Sequence, residues 1–191
     1  MKIELIFTEP LLATCSGNKE LATEFILGKR PEGVAEDEIE SLPEEDIKKS
    51  STVFMRLEDG IPFLWDYQVK GFLKDAAGML NRTMTKEDQL KAHKKLIDGL
   101  VFVKPRKIPI RLSGEITILE RPLRGQTAQG ERIALARSES APAGSKIEFE
   151  IICLDKKLEK AVKLWLDYGQ WRGLGQWRNA SYGRFSWIEI A

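Results

Sequence analysis

The sequence predicts an α+β domain built around an antiparallel sheet. Apolar residues alternate at both ends of the chain, in residues 2–8 and 185–190, and two stretches with helical spacing, 67–81 and 156–168, stand between strand-like segments. Alternation with a period of two is typical of half-buried strands, and a period near 3.6 is typical of amphipathic helices. A chain of 191 residues has the length of a single domain, which we expect to span residues 1–191.

The first quarter of the chain predicts one strand and then a long insertion. Residues 2–8 alternate apolar and polar side chains and form the first strand, which residues 11–13 extend. Residues 16–51 have no sustained period and are expected to form an insertion with one short helical stretch at 21–27. Within it, residues 31–46 hold eight acidic residues and no basic one. We expect a solvated, weakly packed loop there, because so few apolar residues cannot offset an ordering entropy of about 1–2 kcal/mol per residue.

The middle of the chain predicts a strand followed by two helices. Residues 52–57 form a strand-like run that ends in a glycine-containing turn. Asp66 is the predicted N-cap of a helix over 67–81, whose apolar residues recur at helical spacing. Thr85 is the predicted N-cap of a second helix over 86–99, with an acidic residue three positions later as in a capping box.

The second half predicts three strands, a helix and a final strand. Residues 107–119 alternate as a strand interrupted at Gly114, and residues 121–130 form a polar, basic loop. Two further strands are predicted at 132–137 and 146–154. The remaining elements are a helix over 156–168, a glycine-rich loop at 169–184 and a strand over 185–190.

With the insertion set aside, the element order is β-α-β-β-α-β. This is the order of the ferredoxin-like (RRM-like) fold, an antiparallel sheet with its helices on one face, here with a long insertion after the first strand. In RNA-recognition domains of this architecture, the sheet and the adjoining loops hold single-stranded RNA.

Composition and charge exclude several classes of protein. The net charge is +1, but setting aside the eight acids of residues 31–46 leaves 21 acidic against 30 basic residues, a balance of +9. A basic body is compatible with a nucleic-acid partner. No apolar run approaches the roughly 20 residues of a membrane span, and the first residues lack the apolar region of a signal peptide. We therefore expect a cytoplasmic protein without a membrane partner.

The metal-binding and redox-active residues are few. Two cysteines, Cys15 and Cys153, lie far apart in the sequence, and His93 is the one histidine. These residues have no metal-ligand spacing and indicate no disulfide framework. The sequence therefore predicts neither a metal site nor a cofactor.

The glycine-rich loop, residues 169–184, is the main candidate for a functional site. It contains four glycines, three arginines, two tryptophans and a tyrosine. Glycines let the backbone approach a ligand closely, and successive free N–H groups bind anions. Arginines bind phosphate in a fork geometry, and aromatic rings stack on unpaired bases. The loop therefore predicts a clamp for single-stranded RNA, the alternative being that it is a plain turn with tryptophans in the core.

The RNA clamp hypothesis assigns a role to each candidate residue. Phosphates would bind the backbone N–H groups around Gly173 and Gly175, and a base would stack on Trp177 or Tyr182. The side chains that would bind phosphates are Arg172, Arg178 and Arg184 of the loop, with Lys70 and Lys74, which lie one helical turn apart and are expected to face the same groove. In the alternative, Trp177 is a core residue and Arg184 pairs with a nearby acid such as Asp167.

Three segments resemble the motifs of the RAMP superfamily, the repeat-associated proteins of CRISPR systems. Residues 60–79 resemble its signature of a glycine, a proline, an apolar stretch and Leu-Lys-Gly opening a helix, with Val69-Lys70-Gly71 in the last place. Residues 143–149 resemble its glycine-led strand. Residues 173–185 resemble its glycine-rich loop, in which Ser-x-Gly-x-Gly-Arg becomes Asn-Ala-Ser-Tyr-Gly-Arg at 179–184. Together the three segments span about two-thirds of the chain.

The resemblance implies a subunit of a CRISPR-type ribonucleoprotein that holds guide RNA together with other subunits. It adds a second cluster of candidate residues, because residues 121–132 resemble the hairpin with which backbone subunits kink guide RNA. The RNA-binding candidates in that hairpin are Arg121, Arg124 and Arg132, around two glycines.

The sequence also departs from the family pattern. The usual Pro-Gly-Ser-Ser before the lysine is replaced by Trp-Asp-Tyr-Gln at 65–68. Subunits of this pattern that cleave target RNA carry an aspartate just before the strand matched by residues 53–56, where this chain has Ser50, Ser51 and Thr52. The resemblance therefore implies no metal-assisted cleavage. The crRNA-processing branch uses a histidine in its first helix, whereas His93 lies in the second predicted helix among lysines and is expected at the surface.

Three functions remain open at the level of sequence. The leading one is a non-catalytic RNA-binding subunit. The second is a protein of viral or mobile-element origin that mimics such a subunit and interferes with a defence complex. The third is a metal-independent endoribonuclease that processes CRISPR RNA through His93 or through a tyrosine and a lysine.

Overall fold

The protein is known from a computed structural model that describes residues 1–18, 20, 22, 23, 27, 51–87, 89–127 and 130–190, with the side chains of 123–134 left out. Most of the predicted insertion at 16–51, including the whole acidic run at 31–46, lies outside the described residues. The predicted helix at 21–27 also lies largely outside them.

The described elements follow one another along the chain in this order. The strands are β1 (Lys2–Phe7), β2 (Leu11–Leu12), β3 (Cys15–Ser16), β4 (Ser51–Val53), β5 (Met55–Arg56), β6 (Pro62–Trp65), β7 (Val101–Lys104), β8 (Lys107–Arg111), β9 (Thr117–Thr127), β10 (Gly130–Ala141), β11 (Lys146–Cys153) and β12 (Phe185–Ile190). The helices are α1 (Asp66–Asn81), α2 (His93–Leu100), α3 (Lys157–Asp167) and α4 (Gly169–Arg172), with a 3-10 helix at Arg178–Ala180.

The larger sheet joins the two ends of the described chain. Its strand order is β12-β1-β11-β8-β6-β5, and β7 also pairs with β11. All of these pairs are antiparallel. The first strand lies between the last strand and β11, with Ile3 opposite Glu189 on one side and Phe149 on the other. The fold is therefore α+β with an antiparallel sheet, as predicted.

One face of this sheet forms the main core. The alternating residues Ile3, Leu5 and Phe7 of β1 are buried, as are their counterparts on β11. The helices α1 and α3 pack against the same core through their apolar stripes, which contain Val69, Phe72, Leu73 and Ala76 on α1 and Leu158, Val162, Trp165 and Leu166 on α3. Burial of these stripes explains why the two helices with the clearest helical spacing form as predicted.

A second sheet, which sequence analysis did not predict, is built on a long hairpin. Strand β9 pairs with β10 from Thr117 opposite Ser140 to Thr127 opposite Gly130. The rest of the sheet follows the order β2-β10-β4-β3, in which β4 runs parallel to β10. The segments predicted as a polar loop at 121–130 and a short strand at 132–137 are thus parts of one hairpin. Its pairing partners are close in sequence, but the strands that complete the sheet come from the first third of the chain.

Other predicted elements also differ from the structure. The strand predicted at 107–119 is divided between β8 in the first sheet and β9 in the second, with residues 112–116 between them. The helix predicted at 86–99 exists only as α2, because Ala92 adopts a left-handed conformation (φ 51°) and Asn81 holds the preceding segment by two hydrogen bonds to the Leu90 backbone. Strand β7 was not predicted.

A buried ion pair connects the hairpin to the first sheet. Glu139 of β10 has a side chain only 7% exposed, and its carboxylate accepts hydrogen bonds from the Phe54 backbone N–H at 2.7 Å and from Arg56 Nη2 at 2.7 Å. A buried carboxylate is tolerated only when such partners satisfy it. These bonds therefore fix the base of the hairpin against the segment that links β4 to β5.

We predict that Glu139→Ala destabilises the fold, because it leaves the Phe54 N–H without its acceptor and removes the carboxylate that pairs with Arg56. The expected loss is about 2–3 kcal/mol in the free energy of unfolding, measured by urea denaturation. Glu148→Ala is the matched control, since Glu148 pairs with an Arg111 side chain that is 67% exposed and should cost less than about 1 kcal/mol. Equal effects of the two changes would contradict the prediction.

Candidate nucleic-acid interface

The glycine-rich loop is closed at its base by backbone hydrogen bonds. The Leu174 N–H donates to the Gly183 carbonyl at 2.8 Å, and the Gly183 N–H donates to the Pro10 carbonyl at 2.8 Å. The Thr8 N–H then donates to the Arg184 carbonyl at 2.9 Å. Residues 175–182 form an excursion above this base, and the loop is anchored to the segment that follows the first strand.

Two glycines are required by this closure. Gly183 has φ +70°, and a Cβ there would lie 1.8 Å from the Leu174 carbonyl oxygen. Gly173 has φ +74°, and its Cβ would lie 2.5 Å from the Tyr182 carbonyl oxygen. Its N–H donates to the Gly169 carbonyl. These glycines let two backbone segments of the loop touch each other. Of the three backbone N–H groups at 173–175, that of Gly175 is the one that makes no hydrogen bond to the described residues.

An open cleft of about 700 Å³ lies over the excursion. It is lined by Arg121, Arg172, Gly175, Gln176, Trp177, Arg178, Asn179 and Ala180. Five of these are predicted RNA-binding residues, from three parts of the chain: the hairpin strand β9, the end of α4 and the excursion. The fold therefore collects arginines, an aromatic ring and a glycine around one concave surface.

Asp75 of α1 holds two of the cleft arginines. Its Oδ2 atom accepts a hydrogen bond from Arg172 Nε at 2.8 Å and another from Arg178 Nη1 at 2.7 Å. Arg172 Nη1 also donates to the Asn179 side-chain oxygen at 3.3 Å. One carboxylate oxygen thus fixes the positions of both guanidinium groups.

The two arginines change the acidity of Asp75. The side chain is 30% exposed, and burial on its own would raise its pKa. The hydrogen bonds and positive charges of Arg172 and Arg178 outweigh this effect and lower the pKa of Asp75. Conversely, the hydrogen bond to Asp75 raises the pKa of Arg172. Asp75 is therefore ionised at neutral pH, and the cluster of two arginines and one carboxylate has a net charge of +1.

Trp177 lies at the cleft rather than in the core. Its side chain is half-buried and belongs to neither of the two apolar clusters found among the described residues. The Arg121 guanidinium lies 5.3 Å from the centre of its ring, and Tyr182 contacts it edge to face with ring centroids 6.2 Å apart. The structure therefore brings together three predicted residues, two of them aromatic.

Lys70 and Lys74 lie on a different side of α1. Lys70 Nζ donates to the Asp98 carbonyl of α2 at 2.9 Å, and Lys74 forms a salt bridge with the Asp98 carboxylate. Because each residue turns an α-helix by about 100°, these lysines and Asp75 point in different directions. The lysines face α2, and the expectation of one shared groove with the loop is not met.

The remaining predicted residues have mixed positions. Arg184 donates from Nε to the Trp171 carbonyl at 3.1 Å and does not line the cleft. Asp167, its proposed partner in the alternative hypothesis, accepts instead from Trp187 Nε1 at 2.8 Å. Arg124 and Arg132 belong to the paired part of the hairpin, but their side chains are outside the described residues.

His93 is partly exposed with its Nε2 atom buried, rather than fully at the surface as the sequence predicts. Its ring packs against α1, with Nε2 3.2 Å from the position that a Cβ on Gly78 would occupy. Nε2 is buried and has no hydrogen-bond partner among the described residues, while Nδ1 lies 3.4 Å from Asn81 Nδ2.

In the described part of the chain, no group of three or more His, Cys, Asp or Glu side chains is placed to hold a metal ion. Nor is any helix described here long and apolar enough to span a membrane.

Asp75 and Asn179 are the site residues that sequence reasoning missed. Asp75 is one acidic residue in a helix with two lysines nearby, and helical spacing alone points it away from Lys70 and Lys74. The helical spacing was therefore a usable signal that Asp75 faces a different side of α1 from the two lysines. Its arginine partners lie 97 and 103 residues later in the chain, so no local pattern could identify them.

The comparison with known proteins relates this chain to CRISPR complexes through its fold. No protein-family model and no curated protein matches it. A chain in the cryo-EM structure of the Type III-B Cmr-beta bound to cognate target RNA aligns with 100% of this chain, at 11% identity and a TM-score of 0.53. A chain of a Type IV-B CRISPR complex aligns with 100% of it, at 10% identity and a TM-score of 0.50.

The matched lengths differ between the two structures. This chain spans 60% of the Cmr-beta chain and 90% of the Type IV-B chain. At such low identities the similarity establishes a shared fold. The protein therefore has the fold of chains found in CRISPR complexes, which agrees with the RAMP resemblance in the sequence.

We predict that Gly183→Ala destabilises the protein by at least about 2 kcal/mol, because it combines an unfavourable positive φ with a collision against the Leu174 carbonyl. Thermal unfolding followed by circular dichroism measures the change. Gly71→Ala is the control, since a Cβ on this α1 residue meets nothing within 4 Å and should stabilise the helix by up to about 1 kcal/mol. A Gly183→Ala protein as stable as the wild type would show that the loop closure is unimportant.

We predict that the stabilising effect of Asp75 is lost in acid. A carboxyl group with a lowered pKa in the folded state stabilises the fold above its unfolded pKa, 3.8 for this group, and loses that effect as the pH falls through the folded pKa. Asp75→Asn should therefore lower the melting temperature at pH 7, and the difference from wild type should shrink below about pH 4. A difference that is constant down to about pH 2 would contradict this origin.

Proposed function

We propose that the protein is a non-catalytic, RNA-binding, RAMP-like subunit of a cytoplasmic CRISPR-type ribonucleoprotein, and that its cleft holds single-stranded guide RNA. The observation that carries the proposal is the convergence of Arg121, Arg172, Arg178 and Trp177 on one open cleft. Arginine side chains supply phosphate-binding donors, and an aromatic ring supplies a stacking surface for a base.

The proposal includes a ferredoxin-like core for this subunit. The strand order β12-β1-β11-β8, antiparallel throughout, supports it, since the corresponding chain order is β1, α1, β7 with β8, β11, α3 and β12. This is a β-α-β-β-α-β sequence of elements around one sheet. The strands β5 and β6 and the second sheet are then additions to that core.

The hairpin of β9 and β10 is proposed as a second RNA contact beside the loop. Arg121, in the middle of β9, stands over the Trp177 ring at the cleft, which places this part of the hairpin next to the excursion. Arg124 and Arg132 follow on the same hairpin, one on each strand. An RNA strand in the cleft would therefore extend along the hairpin.

The proposal assigns no catalytic role to His93. A general acid or base must reach the 2′-hydroxyl of RNA, and the buried position of His93 Nε2 behind α1 favours a packing role instead. The involvement of other subunits is supported by the shared fold with chains of CRISPR complexes.

We expect Arg178→Ala to weaken binding of single-stranded RNA across sequences and to reduce the slope of log K against log salt by about 0.7 for the lost phosphate contact. Arg184→Ala should do the same if this side chain also reaches a phosphate. Fluorescence anisotropy with a labelled oligouridylate measures both quantities. Arg111→Ala removes the same charge from an exposed pair on the first sheet and should leave the slope unchanged.

We expect Trp177→Ala to cost about 1–3 kcal/mol of RNA-binding free energy, because it removes the stacking surface. Melting temperatures of the same variants separate binding from folding. Unchanged RNA affinity in folded Arg178→Ala and Trp177→Ala proteins would overturn the RNA-clamp proposal.

The two alternative functions give different results in the same assay. Cleavage of labelled structured RNA without metal would indicate the endoribonuclease. Absence of both binding and cleavage, together with co-purification of a defence complex, would indicate the subunit mimic.

A further inference from the structure

An acidic group, Asp75, contacts two of the arginines that line the cleft. Arg172 and Arg178 both donate to the same oxygen, Asp75 Oδ2, at 2.8 and 2.7 Å. Among the described residues, Asp75 is the one acidic side chain that contacts either arginine. The carboxylate therefore lowers the positive charge that Arg172 and Arg178 present to a phosphate.

The hydrogen-bond donors of the arginines are also partly occupied. Two of the three nitrogens of Arg172 donate within the protein, one to Asp75 and one to Asn179, and one nitrogen of Arg178 donates to Asp75. Tight arginine–phosphate pairs use two parallel N–H donors. An RNA phosphate that uses the Nε donor of Arg172 must therefore displace Asp75.

We propose that Asp75 is a built-in competitor for the RNA backbone, which limits the affinity of the cleft by offsetting one of the two positive charges of Arg172 and Arg178 and by occupying one donor nitrogen of each. This inference rests on the proposed RNA-binding function. It goes beyond that function because it states that Asp75, a residue of the core helix α1 outside the loop, controls how tightly the loop binds RNA.

The proposal separates stability from affinity. Asp75 stabilises the folded protein, because it keeps two guanidinium groups from repelling each other and pins α4 and the excursion to α1. It weakens RNA binding, because its negative charge offsets that of the arginines and it occupies one donor nitrogen of each. Removal of the charge should therefore move the two properties in opposite directions, whereas a purely structural residue would lower both.

The test compares wild type with Asp75→Asn, which keeps the side-chain shape and an acceptor oxygen but removes the charge. The probe is a fluorescein-labelled single-stranded oligouridylate, titrated by anisotropy between about 50 and 200 mM salt. We expect Asp75→Asn to bind several-fold more tightly at the low-salt end, with a salt slope steeper by about 0.7, and to have a lower melting temperature. Asp75→Glu keeps the charge and should bind no more tightly than wild type.

Glu189→Gln is the matched control for net charge. Glu189 pairs with Lys163 on the helix α3 at 2.8 Å and lies outside the cleft, so its loss should leave the affinity and the slope unchanged. Asp75→Ser is a second neutral variant, to be used if Asp75→Asn does not fold. A folded neutral variant that binds equally or more weakly than wild type, or a Glu189→Gln protein that gains the same affinity, would overturn the role of Asp75.

The result also distinguishes this inference from the function on which it rests. A wild-type protein that does not bind the probe, together with neutral variants that do not bind it, would overturn the proposed function. Wild-type binding with no gain in the neutral variants would overturn only the competition by Asp75.

Discussion

The shape of the candidate site depends on the backbone contact between Leu174 and Gly183. This hydrogen bond closes the base of the loop, and the bond from Gly183 to Pro10 fastens that base to the start of the chain. Only a glycine permits the approach at Gly183, where a side chain would collide with the Leu174 carbonyl. The positions of Trp177 and Arg178 in the excursion follow from this closure, as does the cleft that they line.

The electrostatics of the cleft depend on a helix that belongs to the core. Helix α1 buries Val69, Phe72 and Leu73 against the sheet, and this packing sets the position of Asp75 on the side of α1 that faces the loop. Asp75 then determines where Arg172 and Arg178 lie and how much positive charge they present. Core packing and the charge of the binding surface are therefore coupled through one helix.

The second sheet contributes to the same cleft through Arg121. The hairpin is anchored at its base by the buried pair of Glu139 and Arg56, so the guanidinium of Arg121 reaches the Trp177 ring from a fixed support. The site is thus assembled from the loop, the core helix and the hairpin. The loop supplies the aromatic ring, the core helix supplies the carboxylate, and the hairpin supplies an additional arginine.

The sequence by itself determined the elements whose apolar pattern is local. The strands β1 and β12 and the helices α1 and α3 lie within one or two residues of the predicted bounds, because burial of one face imposes a period that a short window contains. The first four residues of the predicted glycine-rich loop form the helix α4 instead. Five of the predicted RNA-binding residues line the cleft. The sequence indicated them because arginine, tryptophan and glycine are concentrated in two short segments, 121–132 and 169–184.

Tertiary structure decided the features that depend on pairing between distant residues. The second sheet joins strands from both halves of the chain, and the segment before α2 is shaped by the Asn81 side chain rather than by helical spacing. Tertiary structure also decided the partner of Lys70 and Lys74, because the packing of α2 against α1 places Asp98 beside both lysines. Asp75 and its arginine partners are separated by about half of the chain. Only the packing of α1 against the loop brings this carboxylate into contact with arginines that the sequence shows in a purely basic segment.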